Sequence, residues 1–274
     1  VRVRGTPRNL QPLAAGSLHV GSGGAEAFYE ATERGLDMVM IGGTINGLTH
    51  DIVANKKYKT IEDLRGAVFG SSSLTSGTVT ALKQALKLKG LEYPRDYKIL
   101  VIAGGSSANL AALQSGQIAA TTVAIPLNYA AEDAGFNVVG RLIDAIPEYE
   151  LGTLAVKKSW AEKNRPLVVR FMRALALTHR WIYENKDAAV DFLAREMQLK
   201  PEYARRGWEY YTRHQIWHPD ADLSVKGTEY AIRIYMEQVG GRGSLTSVAK
   251  YIDQSYLTEA LRDLPKRDNA APNR

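Results

Sequence analysis

The 274-residue chain contains no cysteine. That excludes disulfides, thiolate metal ligands and a cysteine nucleophile. No apolar run approaches the ~20 residues that a membrane-spanning helix needs, and no secretory leader pattern stands at Val1. Basic clusters are missing too: Lys and Arg are scattered, with no patch interleaved with aromatics, so the net charge of +6 does not predict nucleic-acid binding. Histidine is sparse. Only His214 and His218 have the i, i+4 spacing of a zinc helix, and Trp217 and Pro219 put them in a loop or helix end, so no metal site is expected. Glu148 and Glu150 read as a solvated loop rather than an acid–base pair.

What the chain has is a repeat. Ten ungapped identities relate residues 1–42 to 101–142, at an offset of 100; about three are expected by chance from average composition. Asn9, Leu10, Leu13, Gly16, Tyr29, Ala31, Gly35 and Val39 recur as Asn109, Leu110, Leu113, Gly116, Tyr129, Ala131, Gly135 and Val139, and Val1 and Gly5 recur as Val101 and Gly105. Two equivalent halves facing one another make a cleft, where small molecules bind.

Each copy reads as alternating strands and helices. In the second, the apolar run Lys98–Ala103 ends in Gly104-Gly105-Ser106-Ser107, a strand followed by a helix start. Leu110 and Leu113 share a helical face, and Gly116 stands where a left-handed cap is wanted. Ile118–Val123 is the next strand, Pro126 starts a helix ending at Gly135, and Asn137–Leu142 is a further strand. This alternation predicts a parallel sheet covered on both faces. Val1 aligns with the inside of a strand, so a first strand and helix are expected upstream. After the strand Gly152–Val156 helix follows helix, over Pro166–Asn185, Asp187–Met197, Pro201–His214 and Val225–Val239. Such a strand-poor segment is expected to pack on the first lobe and complete it.

Ser71, Ser72, Ser73, Thr75 and Ser76 precede a helix that begins at Gly77. Hydroxyls, unpaired backbone N–H groups and the positive end of the helix dipole there suit a receptor for an anion or carbonyl, the alternative being plain N-capping, for which one hydroxyl residue suffices. The cluster also follows the buried strand Ala67–Gly70, at the strand end where open α/β sheets place ligands.

Leu113-Gln-Ser-Gly116-Gln-Ile-Ala-Ala, Thr60-Ile-Glu-Asp-Leu-Arg-Gly66, Ser159-Trp160 and the closing Lys250-Tyr-Ile-Asp-Gln-Ser-Tyr-Leu257 together resemble the solute-binding proteins of nitrate, alkanesulfonate and taurine uptake. That superfamily also includes the pyrimidine-precursor proteins of thiamine metabolism. The resemblance implies a type II periplasmic-binding-protein fold: two α/β lobes joined by a hinge of two crossings, with residues 1–60 and 150–274 forming lobe 1 and 61–149 lobe 2. It implies a monomeric periplasmic receptor that delivers a small organic anion, such as a sulfonate or carboxylate, to the permease of an ABC transporter, with no cofactor. An enzyme on the same fold, or a sensor domain, is the alternative; the related enzymes use cysteine-bearing motifs. By the family's pattern and by position at strand ends, the ligand-binding candidates are Ser22, Gly23, Gly24, Thr44, Thr75, Ser76, Thr78 and Tyr149. Ala119 and His19 stand where the family often has an acidic residue.

Overall fold

The computed structural model of the protein describes residues 6–240, 245 and 247–265. Helix α1 (Thr6–Ala14) leads to strand β1 (Val20–Gly23), helix α2 (Ala25–Glu33) and strands β2 (Met38–Asn46) and β3 (His50–Ala54). Strand β4 (Val68–Ser71), α3 (Gly77–Leu88), β5 (Lys98–Val101), α4 (Gly105–Gln114), β6 (Ala120–Ala124), α5 (Leu127–Asp133) and β7 (Asn137–Arg141) follow. The short α6 (Leu142–Ala145) precedes β8 (Glu150–Lys157). Then come α7 (Lys158–Lys163), α8 (Arg165–Glu184), α9 (Lys186–Met197), α10 (Pro201–Arg213), α11 (Val225–Gln238) and α12 (Ser255–Leu261).

The offset of 100 is built into the backbone. α1, β1, α2 and β2 correspond in order to α4, β6, α5 and β7. Gly16 and Gly116 share φ of 76°, and their N–H groups donate to Leu13 O and Leu113 O at 3.2 and 3.1 Å. The left-handed conformation is open to glycine without the steric cost that any Cβ adds. Leu13 and Leu113, one turn earlier, are both fully buried, each stabilising its lobe by about 1.5–3 kcal/mol. Val1, Gly5 and the strand expected around them lie outside the described residues.

The strands form two sheets, ordered β1–β8–β2 and β5–β4–β6–β3–β7. Among these strands only β4 pairs in parallel, with β5 and β6; β3 is antiparallel to β6 and β7, and β8 is antiparallel to β1 and β2. The five-stranded sheet is therefore mixed and the three-stranded one antiparallel, not parallel as the alternation predicted. The cause is an exchange. β3 follows the first repeat in sequence but lies between β6 and β7 of the second, while β8 follows the second repeat and lies between β1 and β2 of the first. Each enters from the opposite lobe and runs back along strands that head toward the cleft. The chain changes sheet between Asn46 and His50 and again between Arg141 and Glu150, so the strand His50–Ala54 pairs in the five-stranded sheet although the expected division at residue 60 puts it in lobe 1.

Helices α8 and α12 cover the three-stranded sheet, where Val168, Met172, Tyr256 and Leu257 pack with Ile41 and Val156. α11 reaches further. Ala231 and Ile234 join the core of the five-stranded sheet beside Phe69, Leu82 and Tyr97, so this helix packs on both lobes. The turn before β4 is held by a reciprocal cap: Asp63 accepts from the N–H groups of Lys59 and Thr60 at 2.7 and 2.9 Å, and Thr60 Oγ1 accepts from Asp63 N–H at 3.3 Å.

Candidate functional site

β1 ends at Gly23 and α2 starts at Ala25 with Gly24 as its cap; β4 ends at Ser71 and α3 starts at Gly77 with Ser76 as its cap. The two helix starts come from different sheets and meet at one carboxyl group, that of Glu26. A methyl group on Gly24 would lie 2.3 Å from Glu26 Oε1, and one on Gly77 2.8 Å from it. An added methyl at either position would press on the end of the Glu26 side chain. Tyr149, at the second crossing, is 2 % exposed and its hydroxyl donates to Gly77 O at 3.2 Å. The start of α3 is thereby tied to the hinge.

Glu26 is 2 % exposed, and its Oε2 has no hydrogen-bond partner among the described residues. Burial raises its carboxyl from an ordinary 4.5 to about 7, opposed by its own backbone N–H. The positive ends of α2 and α3 favour negative charge here, each by about 0.3–1 kcal/mol near a surface and more when partly buried. Near pH 7 this group is divided between a form that only accepts hydrogen bonds and one that donates from its hydroxyl. Burial and the charge of Glu26 both raise the Tyr149 hydroxyl above its ordinary value, so it remains a donor.

Gly23, Gly24, Tyr149 and the Ser76–Thr78 segment gather around this junction. Ser76 and Thr78 are half-buried at the start of α3, and Gly23 O accepts from Thr153 Oγ1 at 3.1 Å. Ser22 and Thr75 are exposed. The loop hydroxyls serve the loop first: Ser71 Oγ donates to Ser73 O at 3.0 Å, and Ser73 Oγ accepts from Thr75 N–H at 3.1 Å. Thr44 is spent on the sheet, its hydroxyl donating to Gly152 O at 3.0 Å across β2 and β8.

Glu150 corrects the reading of a solvated acidic loop. It is fully buried, whereas Glu148 is exposed. Glu150 Oε2 accepts from Ser224 N–H at 2.9 Å, and burial pushes its carboxyl well above the usual range, with the Asp222 charge adding to the rise. The pairing of β8 between β1 and β2 draws it inside, and no local pattern announces that. Sequence reasoning misses Glu26 for the same cause. Along the chain it is an ordinary first-turn acid, favoured by the dipole of α2, and nothing near it in sequence announces that the start of α3 will lie against its carboxyl.

The family model described as NMT1/THI5 like matches residues 4–189, more than half of the chain. The chain belongs to the NMT1/THI5-like family. No curated protein matches it in sequence. Among solved structures, this NMT1/THI5-like chain is similar to the alkanesulfonate-binding protein SsuA from Xanthomonas axonopodis pv. citri bound to MOPS, with 20% identity and a TM-score of 0.74 over 92% of this chain and 86% of that one. A ligand-binding component of an ABC-type import system from Staphylococcus aureus, with zinc bound, gives 15% identity and a TM-score of 0.75 over 95% and 87%. The desulfurization enzyme DSZB, as a cysteine-to-serine mutant in complex with biphenyl-2-sulfinic acid, gives 13% and 0.64 over 91% and 87%. Identities this low fix the fold of the NMT1/THI5-like chain as that of the periplasmic binding proteins. Among its described residues, no helix is long and apolar enough to cross a membrane.

Proposed function

We propose that the protein is a periplasmic, monomeric solute receptor that closes its two lobes on a small organic anion and presents it to the permease of an ABC importer. The observation that carries this reading is the junction at Glu26, where two helix N-termini from different sheets converge on a single buried group. An oxyanion at that point gains both dipoles and the first-turn N–H groups of α2 and α3. It binds with Glu26 protonated, so that the hydroxyl donates to the ligand and no two carboxylates face each other. Ser76 and Thr78 stand beside this position, and closure is favoured because only the closed form lets both lobes touch the ligand. Binding components of import systems among the structural neighbours support the receptor role over an enzyme.

The pH dependence of affinity is the test. Titration calorimetry with small aliphatic sulfonates and carboxylates should show affinity that is steady below about pH 7 and falls toward tenfold per pH unit above it, because the bound form requires the proton. Affinity that instead rises with pH would mean that ionised Glu26 receives a hydrogen-bond donor or cation. No binding of any such anion between pH 6 and 8 would end the anion reading.

A further inference from the structure

Residues of β3, α5, β7 and α10 line a cavity of about 240 Å³ that none of the residues around Glu26 lines. Asp51 and Asn128, 3 % and 2 % exposed, are its most buried polar lining. Asn128 Nδ2 donates to Asp51 Oδ2 at 2.7 Å. Asp51 Oδ1 and Asn128 Oδ1 are then both buried with no partner among the described residues. Two buried acceptor oxygens beside one another require a donor. The exposed members of the lining are Glu132, Arg141, Arg206, Arg213 and His214, three of them arginines. The Arg206 guanidinium lies 3.6 Å from the centre of the Tyr129 ring and 3.5 Å from Glu132, and Glu209 is paired with Lys186 at 2.9 Å. The guanidinium groups of Arg141 and Arg213 take part in no ion pair or side-chain hydrogen bond among the described residues.

We propose that this cavity binds a small zwitterion, whose ammonium group donates to Asp51 Oδ1 and Asn128 Oδ1 and whose carboxylate or sulfonate group meets Arg141 and Arg213. Acceptors lie inside; at the mouth Glu132 is paired with Arg206, which leaves Arg141 and Arg213 as the charges an occupant meets. An anion alone leaves the buried oxygens unsatisfied, and a cation alone faces the arginines. Burial raises Asp51 to about 6 against the opposing effects of Asn128 and Arg141, with Glu132 and Asp144 adding to the rise; a bound ammonium reverses that shift. The α10 wall is tied to the first crossing by Tyr210 OH, which donates to Leu48 O at 3.1 Å, and to the end of β6 by Tyr211 OH, which donates to Ile125 O at 3.2 Å. An occupant therefore bridges α10 and the five-stranded sheet.

Calorimetry on the whole chain with β-alanine and 4-aminobutyrate, against propionate and propylamine as their single-charge halves, tests the proposal. At least one zwitterion should bind saturably, and each half at least about tenfold more weakly. Asp51→Asn and the double variant Arg141→Ser/Arg213→Ser should each weaken the zwitterion by about tenfold or more. The arginines are exposed, so that variant remains folded and informative even if Asp51→Asn does not fold. Equal binding of the halves, full binding by the double arginine variant, or no saturable binding of either zwitterion overturns the proposal.

Discussion

Replacing Glu26 by glutamine should make the empty protein more stable while leaving anion binding intact. The side chains are nearly isosteric, and glutamine mimics the protonated acid by offering a donor where the carboxylate offers none. In the empty protein the ionised form is penalised by burial, and a rise from 4.5 to about 7 corresponds to ~3 kcal/mol at 1.36 kcal/mol per unit. The raised value means that the folded state holds the proton more tightly than the unfolded chain. This group's contribution is therefore full below about pH 4.5, declines as pH rises toward about 7 and is lost above it. Glu26→Gln should match the wild type near pH 4 and exceed it by up to ~3 kcal/mol at pH 8. Urea unfolding followed by tryptophan fluorescence and circular dichroism measures the difference, provided the two probes give coincident transitions. Calorimetry on the same variant should show affinity at pH 8 equal to that of the wild type at pH 6. A variant no more stable than the wild type at pH 8 would refute the burial argument, and a variant that no longer binds anions would refute the protonated role. A stabilising substitution inside the proposed binding site fits the general trade of stability for function.

Gly16→Ala and Gly116→Ala should cost the same, about 1–2 kcal/mol each, because φ is 76° at both and an added methyl meets nothing within 4 Å; unequal losses in urea melts would show that the repeat is not energetically equivalent. Gly227→Ala should cost more than about 2 kcal/mol, since its methyl would lie 2.8 Å from Glu150 N and 2.9 Å from Tyr149 C, backbone atoms that cannot yield without moving β8; a neutral melting temperature contradicts this. Asp96→Asn should destabilise at neutral pH and not in strong acid. Arg95, the Glu92 N–H and Arg65 hold the Asp96 carboxyl well below its ordinary 3.8, so its contribution is present above that value and lost as pH falls through the lower, folded one.

Local signals carried most of the fold. Gly16, Gly35, Gly116 and Gly135 mark helix ends because their left-handed backbone is a local requirement, and all four have φ between 76° and 89°. Leu13 and Leu113 announce their burial through helical spacing alone. Pairing partners are another matter. Asp51–Val53 is recognisably extended, but nothing within it says that it will sit between β6 and β7 rather than beside β2. The candidate site divides along the same line. Gly24, Ser76 and Thr78 are visible as helix starts after strands, whereas Glu26, Asp51 and Glu150 are polar residues buried by elements more than 50 residues away.

The reciprocal placement of β3 and β8 has a consequence for synthesis. β1 and β2 are not hydrogen-bonded neighbours; the strand between them is β8. Until Glu150–Lys157 has left the ribosome, the sheet that holds β1 and β2 has no centre, and those two strands stand apart with open edges. The second sheet has no such delay, since β3 to β7 emerge consecutively. The sheet of β1 and β2 thus gains its centre only after all five strands of the other sheet. A ribosome pause before residue 150 would leave a finished five-stranded sheet attached to an unfinished partner that chaperones would recognise.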